Sequence, residues 1–241
     1  MLTIAPIAET PEAALVRALP AAPYLRRLHE TGVQGHWRDA LQAVREIPAD
    51  LPDAEAMAVM RKAKAQLHLS LAAEDLSGVL PVMGVTRALS EFAEESLEAA
   101  LRVSLARREL EGAGIFAVAL GKMGAYELNY SSDIDICVFY EPGVFMDGDF
   151  SAGETAQRIA RDLVRMMQEA TGDGYVFRTD LRLRPDPSST PLAVSTKMAD
   201  LYYESVGQNW ERMVWIKARP TAGDRAYAER FLKILQPFVW R

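Results

Sequence analysis

Asp133 and Asp135 place two carboxylates one residue apart at the head of an apolar run, Asp-Ile-Asp-Ile-Cys-Val-Phe-Tyr, that ends at Tyr140. Read as a β-strand, the run has a period of two. Asp133, Asp135 and Cys137 share one face, while Ile134, Ile136 and Val138 occupy the other, which suits a core. Unpaired, the two acids repel each other, and desolvation raises at least one pKa. A divalent cation reverses that cost, and magnesium favours one or two carboxylates together with phosphate oxygens. Asp180 supplies a third acid from a second expected strand, YVFRTDLRLRP, beginning at Tyr175. Its alternation predicts Tyr175, Phe177, Leu181 and Leu183 on one side and Arg178, Asp180, Arg182 and Arg184 on the other. Three carboxylates beside local positive charge suit two-metal phosphoryl or nucleotidyl chemistry, in which the ions stabilise attacking and leaving oxygens. The competing reading is a solvated strand edge with surface arginines, which a lone D-x-D pair would favour and which the third acid and the Gly-Lys turn just upstream weigh against.

That turn follows another apolar run, IFAVAL, from Ile115 to Leu120, which reads as a buried strand. Gly121 after it lets backbone N–H groups approach a phosphate. Lys122 suits either phosphate contact or solvent, and Gly124 suits close packing. Ser131 and Ser132 fit phosphate contact and turn formation equally well. Cys137 is expected to be a buried structural thiol, since no histidine lies near it in sequence. His29, His36 and His68 have no spacing that suggests a metal site.

The elements that must hold these residues fall into two patterns. Residues 1–110 read as an all-helical region. Prolines punctuate its first thirty residues, a helix is expected over 31–47, and Asp53 is expected to cap another running to about Ala73. On that second helix Met57, Met60, Leu67 and Leu71 follow the 3.6 period, and Lys64 interrupts it. Val85, Leu89, Phe92, Leu97, Leu101 and Leu105 form one stripe on a long third helix. From Gly112 the pattern changes, and 111–220 reads as a mixed sheet with flanking helices. One helix is expected over 154–170, with Ile159, Leu163, Met166, Met167 and Ala170 inward. Residues 221–241 read as the start of a further helical region. The fold class is therefore α+β.

Composition narrows the function classes. Of 241 residues, 49% are hydrophobic and 25% charged, the proportions of an ordinary globular chain. Net charge is 27 − 33 = −6, which disfavours a broad nucleic-acid surface, so any phosphate site must be local. No apolar stretch is long enough to cross a membrane, no secretory pattern opens the chain, and the single cysteine fits a reducing cytoplasm.

Gly121-Lys122, ten residues, then Asp133-Ile134-Asp135, with Asp180 on a later strand, resembles the nucleotidyltransferase superfamily of the DNA polymerase β type. The stretches GKMGAYELNYSSDIDICVFY, RTDLRLRPDPSSTPL and YYESVGQNWERMVWIKAR are more specific. They resemble the glutamine synthetase adenylyltransferase family, from about residue 60 onward. In that family two related halves occur in one chain. One removes AMP from a tyrosine of glutamine synthetase by phosphorolysis; the other attaches it from ATP. The adenylyl-removing half typically reads ELN-x-SSDID, and Glu127-Leu128-Asn129 with Ser131-Ser132-Asp133-Ile134-Asp135 is similar to that form rather than to ELG-x-GSDLD. The family being several times longer, the chain reads as an N-terminal fragment.

The resemblance implies two Mg²⁺ or Mn²⁺ ions on Asp133, Asp135 and Asp180. It further implies phosphate contacts from Gly121, Lys122, Ser132, Arg182 and Arg184, with Lys217 and Arg219 either closing the site or lying on the surface. Glutamine synthetase, a PII-type signalling protein, ADP or ATP and inorganic phosphate are the implied partners, in the regulation of nitrogen metabolism. Forward adenylyl transfer from ATP and a non-catalytic docking module for glutamine synthetase or PII are the competing readings.

Overall fold

The computed structural model describes residues 9–145 and 151–240. Five α-helices come first, with a 3₁₀ turn at Leu19–Ala21 after the first: α1 (Pro11–Ala18), α2 (Pro23–Glu30), α3 (Trp37–Arg45), α4 (Asp53–Ser77) and α5 (Val82–Ala106). The α/β portion follows as β1 (Ile115–Ala119), α6 (Gly121–Gly124), β2 (Ile134–Tyr140), α7 (Ala152–Gln168), β3 (Thr179–Asp180), β4 (Ala193–Ser195), α8 (Thr196–Ser205), α9 (Asn209–Trp215), β5 (Arg219–Gly223) and α10 (Arg225–Val239).

Several boundaries differ from expectation for identifiable reasons. The helix expected over 31–47 starts only at Trp37, because Gly32 and Gly35 adopt positive φ and His36 caps the helix from an extended conformation. Asp53 is not the cap of α4. Pro52 holds that position, and the Asp53 carboxylate instead takes Arg107 and Arg165, tying α4 to α5 and α7. Its helix runs past Ala73 to Ser77 and stops at Gly78, which is left-handed at φ 75°. Ala170 does not face inward: α7 ends at Gln168 when Glu169 turns extended, leaving Ala170 exposed.

β1 is the centre of a mixed sheet. It pairs antiparallel with β2, through Ile115–Tyr140 to Ala119–Ile136, and antiparallel with β5 on its other edge. The outer edge of β2 is shared in parallel, by β3 at its start and β4 at its end. This arrangement explains why the long strand expected over 175–185 does not form. Only Thr179 and Asp180 pair with β2; the chain then leaves the edge through a Pro185- and Pro187-containing loop and returns at Ala193. Proline has no N–H to give a ladder, so continued pairing through this stretch would lose bonds.

Both faces of the sheet are covered. Ile115, Ala117, Ile134, Ile136 and Val138 join α3, α4, α5 and α7 in one core. Phe116, Val118, Cys137 and Phe139 join α8, α9 and α10 in a second, where the Phe139 and Phe231 ring centroids are 4.7 Å apart. The Asp133–Asp135–Cys137 face is therefore not a polar face. Asp133 precedes β2, Asp135 is half-buried, and Cys137 is fully buried with its thiol pKa pushed up by that burial.

Candidate active site

β1 delivers the chain to Leu120, whose N–H donates to the Asp135 carbonyl at 2.9 Å. Gly121 then turns into the one-turn α6 with φ +53°. A Cβ there would lie 2.5 Å from Asp135 Oδ2, so the residue must be glycine for both conformation and space. Gly124 serves packing: its Cβ would fall 2.0 Å from the Lys217 carbonyl oxygen.

A short turn sets up the acids. Asn129 Oδ1 accepts from the Ser131 N–H at 3.0 Å and the Ser132 hydroxyl at 2.9 Å, and Ser132 Oγ accepts from the Asn129 N–H. Asx geometry of this kind replaces backbone pairing at a turn. The Ile134 N–H then donates to the Arg178 carbonyl at 2.9 Å, which brings β2 and β3 into register with Asp135 opposite Asp180. Parallel register puts both carboxylates on the same side of the sheet, with Asp133 beside them.

The electrostatics of the pair are asymmetric. Asp135 is raised above the ordinary carboxylate value, first by burial and then by the charges of Asp180 and Asp133, against which Arg182 and Lys122 act. Asp180 is lowered, chiefly by its hydrogen bond from Arg182, whose Nη2 donates to Oδ2 at 2.6 Å and whose backbone N–H donates to Oδ1 at 2.8 Å. Asp133 is held by Arg178 Nε. A cleft of about 390 Å³ opens here, lined by Asp133, Thr179, Asp180 and the arginines 178, 182 and 184.

The expected site residues are thus brought together unevenly. Asp133, Asp135, Asp180, Gly121 and Arg182 converge, with exposed Lys122 near enough for its charge to act on Asp135. Ser132 is part of the Asn129 turn. Arg184 is committed elsewhere: its guanidinium donates to the carbonyls of Leu181, Pro187, Thr190 and Pro191 and folds the loop between β3 and β4. Lys217 pairs with Glu127 at 2.6 Å, and Arg219 pairs with Glu94 at 2.5 Å while lying over the Tyr126 ring.

Two residues outside the expected set also belong to this neighbourhood. Arg178 clamps Asp133 and donates to Ser131 O at 2.9 Å and Tyr175 Oη at 3.0 Å. Behind it, Lys64 of α4 donates to Tyr175 O at 3.1 Å and lies 4.4 Å from that ring's centroid. Burial, with Arg178 adding to it, takes the Lys64 amine down to about 8. Its signal in the sequence is the lysine that interrupts an otherwise apolar helical stripe. His36 and His68 are occupied apart from one another, by Glu74 and Tyr24.

Among the described residues, no three His, Cys, Asp or Glu side chains form a ready metal cage. Asp133 pairs with Arg178 and Asp180 with Arg182. Carboxylates are the donors a hard divalent cation takes, and Asp135, raised first by burial and then by Asp180 and Asp133, would be relieved by one. No described helix is long and apolar enough to cross a membrane.

A glycine turn after a central strand, a carboxylate-bearing neighbour strand and a third acid in register beside it define a nucleotidyltransferase-type α+β fold. Residues 13–234 match the family model described as glutamate-ammonia ligase adenylyltransferase, and the chain belongs to that family. It is similar to the bifunctional glutamine synthetase adenylyltransferase/adenylyl-removing enzyme of Rhizobium meliloti (strain 1021), with 48% identity over 246 residues, covering 95% of this chain and 24% of that protein. The protein of the same name from Caulobacter vibrioides is 46% identical over 252 residues, covering 94% of this chain and 26% of the relative. The chain thus spans about a quarter of the length of the curated relatives it matches.

Proposed function

We propose that this chain carries the adenylyl-removing activity, phosphorolysis of the AMP–tyrosine bond on glutamine synthetase. The observation that carries a nucleotidyl-transfer reading is the register of Asp135 beside Asp180, with Asp133 adjoining and Gly121 keeping the approach clear. The Glu127–Asn129 and Ser131–Asp135 sequence, in the form resembling the removing half, supports the direction. Relatives whose names give both activities are compatible with it.

Asp133, Asp135 and Asp180 would hold one or two Mg²⁺ or Mn²⁺ ions. Such ions, when bound, neutralise phosphoryl oxygens and the developing charge of the leaving oxygen. The chain's own part is alignment. Gly121 and Lys122 border the Asp135 carboxylate, and Arg182 stands over Asp180, where they can orient phosphate oxygens in line with the AMP phosphorus. In the reaction a phosphate oxygen bonds to that phosphorus, the phosphorus–tyrosine oxygen bond breaks, and the phosphate proton ends on the tyrosine. The products are ADP and unmodified tyrosine. Phosphate is a nucleophile near neutral pH, so positioning matters more than a strong base.

The test is to mix the chain with adenylylated glutamine synthetase, Mg²⁺ and phosphate and follow ADP. Phosphate-dependent ADP release supports the proposal. AMP incorporation from ATP would assign the opposite direction, and binding without turnover in either direction would favour a docking module.

A further inference from the structure

We propose that Arg178 competes with divalent cations for Asp133, and that the guanidinium so released binds the phosphate reactant. The inference rests on the reading of Asp133 as a cation ligand. It makes Arg178 a phosphate-binding residue of the site and a link between its two ligands.

The backbone and side chain of Arg178 have separate duties. Its carbonyl accepts from the Ile134 N–H, so the main chain is part of the β2–β3 edge and stays in place. The exposed guanidinium makes one charged contact, to Asp133, and two neutral ones, to Ser131 O and Tyr175 Oη. A cation on Asp133 removes the charged contact and leaves the neutral pair as a pivot. The same side chain stands between two clefts. One holds Asp133 and Asp180; the other, about 520 Å³, is lined by Arg161, Arg165 and Glu169, with Arg165 paired to Asp53 and Glu169. The first cleft is also lined by Arg182 and Arg184, so an anion there meets positive charge when the Arg178 guanidinium turns into it.

The pivot is itself braced. Lys64 Nζ holds the Tyr175 carbonyl and lies against its ring, while Arg178 reaches the hydroxyl of that same residue. Arginine binds phosphate through a planar fork, and one fork cannot serve a carboxylate and a phosphate fully at once. Cation and phosphate should therefore bind with positive coupling, each favouring the other by the same factor.

Calorimetry on the whole chain tests this with Mn²⁺ alone, phosphate alone, and phosphate in excess Mn²⁺. In Arg178→Gln we expect Mn²⁺ to bind more tightly, by up to about fivefold, the scale of an exposed ion pair. Phosphate in the presence of Mn²⁺ should bind roughly tenfold more weakly, the scale of a lost charge-assisted contact. A purely structural arginine would weaken both. Weaker Mn²⁺ binding, or unchanged phosphate binding, in a variant with wild-type circular dichroism overturns the inference. Arg178→Lys guards against misfolding: it keeps the charge and loses the fork, so phosphate should weaken while Mn²⁺ changes little. Unaltered phosphate affinity there also overturns the inference. If Mn²⁺ binds wild type, is lost in Asp133→Asn and is indifferent to Arg178→Gln, the inference fails alone. If wild type binds no Mn²⁺, the cation reading fails with it.

Discussion

Asp135 and Asp180 stand opposite each other in register, yet their ionisations are pushed in opposite directions. Asp135, raised above 3.8, contributes stability only while protonated; that contribution is lost as pH rises through its raised value. Asp180, lowered below 3.8, contributes stability above that value and loses it as pH falls through the lowered one. At neutral pH without divalent ions, Asp135→Asn should therefore raise the melting temperature. Asp180→Asn should lower it slightly, by the ~0–1 kcal/mol of an exposed pair. Both should abolish ADP formation if the proposed chemistry holds. Thermal melts in EDTA at neutral pH check the signs, and a fall for Asp135→Asn would contradict the electrostatic account. Gly121→Ala combines an unfavourable φ with a methyl set against the Asp135 carboxylate. It should destabilise the fold by about 1–3 kcal/mol, measured by urea unfolding, and displace the carboxylate from Asp180. A variant as stable and active as wild type would show that the turn relaxes freely.

Elements explain which parts of this site were legible in the sequence. β1 and β2 are short apolar runs bounded by glycine and turn residues, and both form close to where their composition places them. The acidic pair is legible because it heads a strand, and Gly121 because it follows one. Alternation around Arg178–Arg184 reads as a long strand, but the chain leaves the edge after Asp180, and the Arg184 hydrogen bonds that help fold the loop cannot be seen in a pattern. Lys64 and Arg178 meet through Tyr175 only after α4 packs beside the β3 edge, a contact across more than a hundred residues. Since Arg184 satisfies carbonyls from Leu181 to Pro191, Arg184→Ala should loosen the loop rather than selectively weaken phosphate. A loss of roughly 1–3 kcal/mol is expected for stranding these acceptors, with faster amide exchange confined to 185–192. A selective rise in the phosphate needed for half-maximal turnover, with stability and exchange unchanged, would instead return Arg184 to phosphate binding.

Across the whole molecule, α3, α4 and α5 share one core with one face of the sheet. A continuous buried cluster runs from Trp37 and Leu41 through Met60, Phe92 and Leu97 to Ile136, Leu163 and Ala222. Two α4 side chains extend that union to the site, Arg61 donating to Glu169 O at 2.8 Å and Lys64 to Tyr175 O. Removing the helices would uncover the sheet face formed by Ile134, Ile136 and Val138, each essentially inaccessible in the intact chain. Large apolar faces of that kind do not remain ordered in water. Residues 111–240, which keep β5 and α10, should therefore, when expressed alone, bind a hydrophobic dye and melt without a cooperative transition. The whole chain should unfold in one step, with coincident midpoints by far-ultraviolet circular dichroism and tryptophan fluorescence. The fluorescence is informative because buried Trp37 reports on α3 and buried Trp215 on the opposite side of the sheet. Trp210 and Trp240 lie exposed on the Trp215 side, so Trp37→Phe leaves only that side reporting, and changing the other three to phenylalanine leaves Trp37 alone. Midpoints that then diverge would show that the helices and the sheet fold independently, and that α4 positions Tyr175 and Arg178 only by docking to a finished domain.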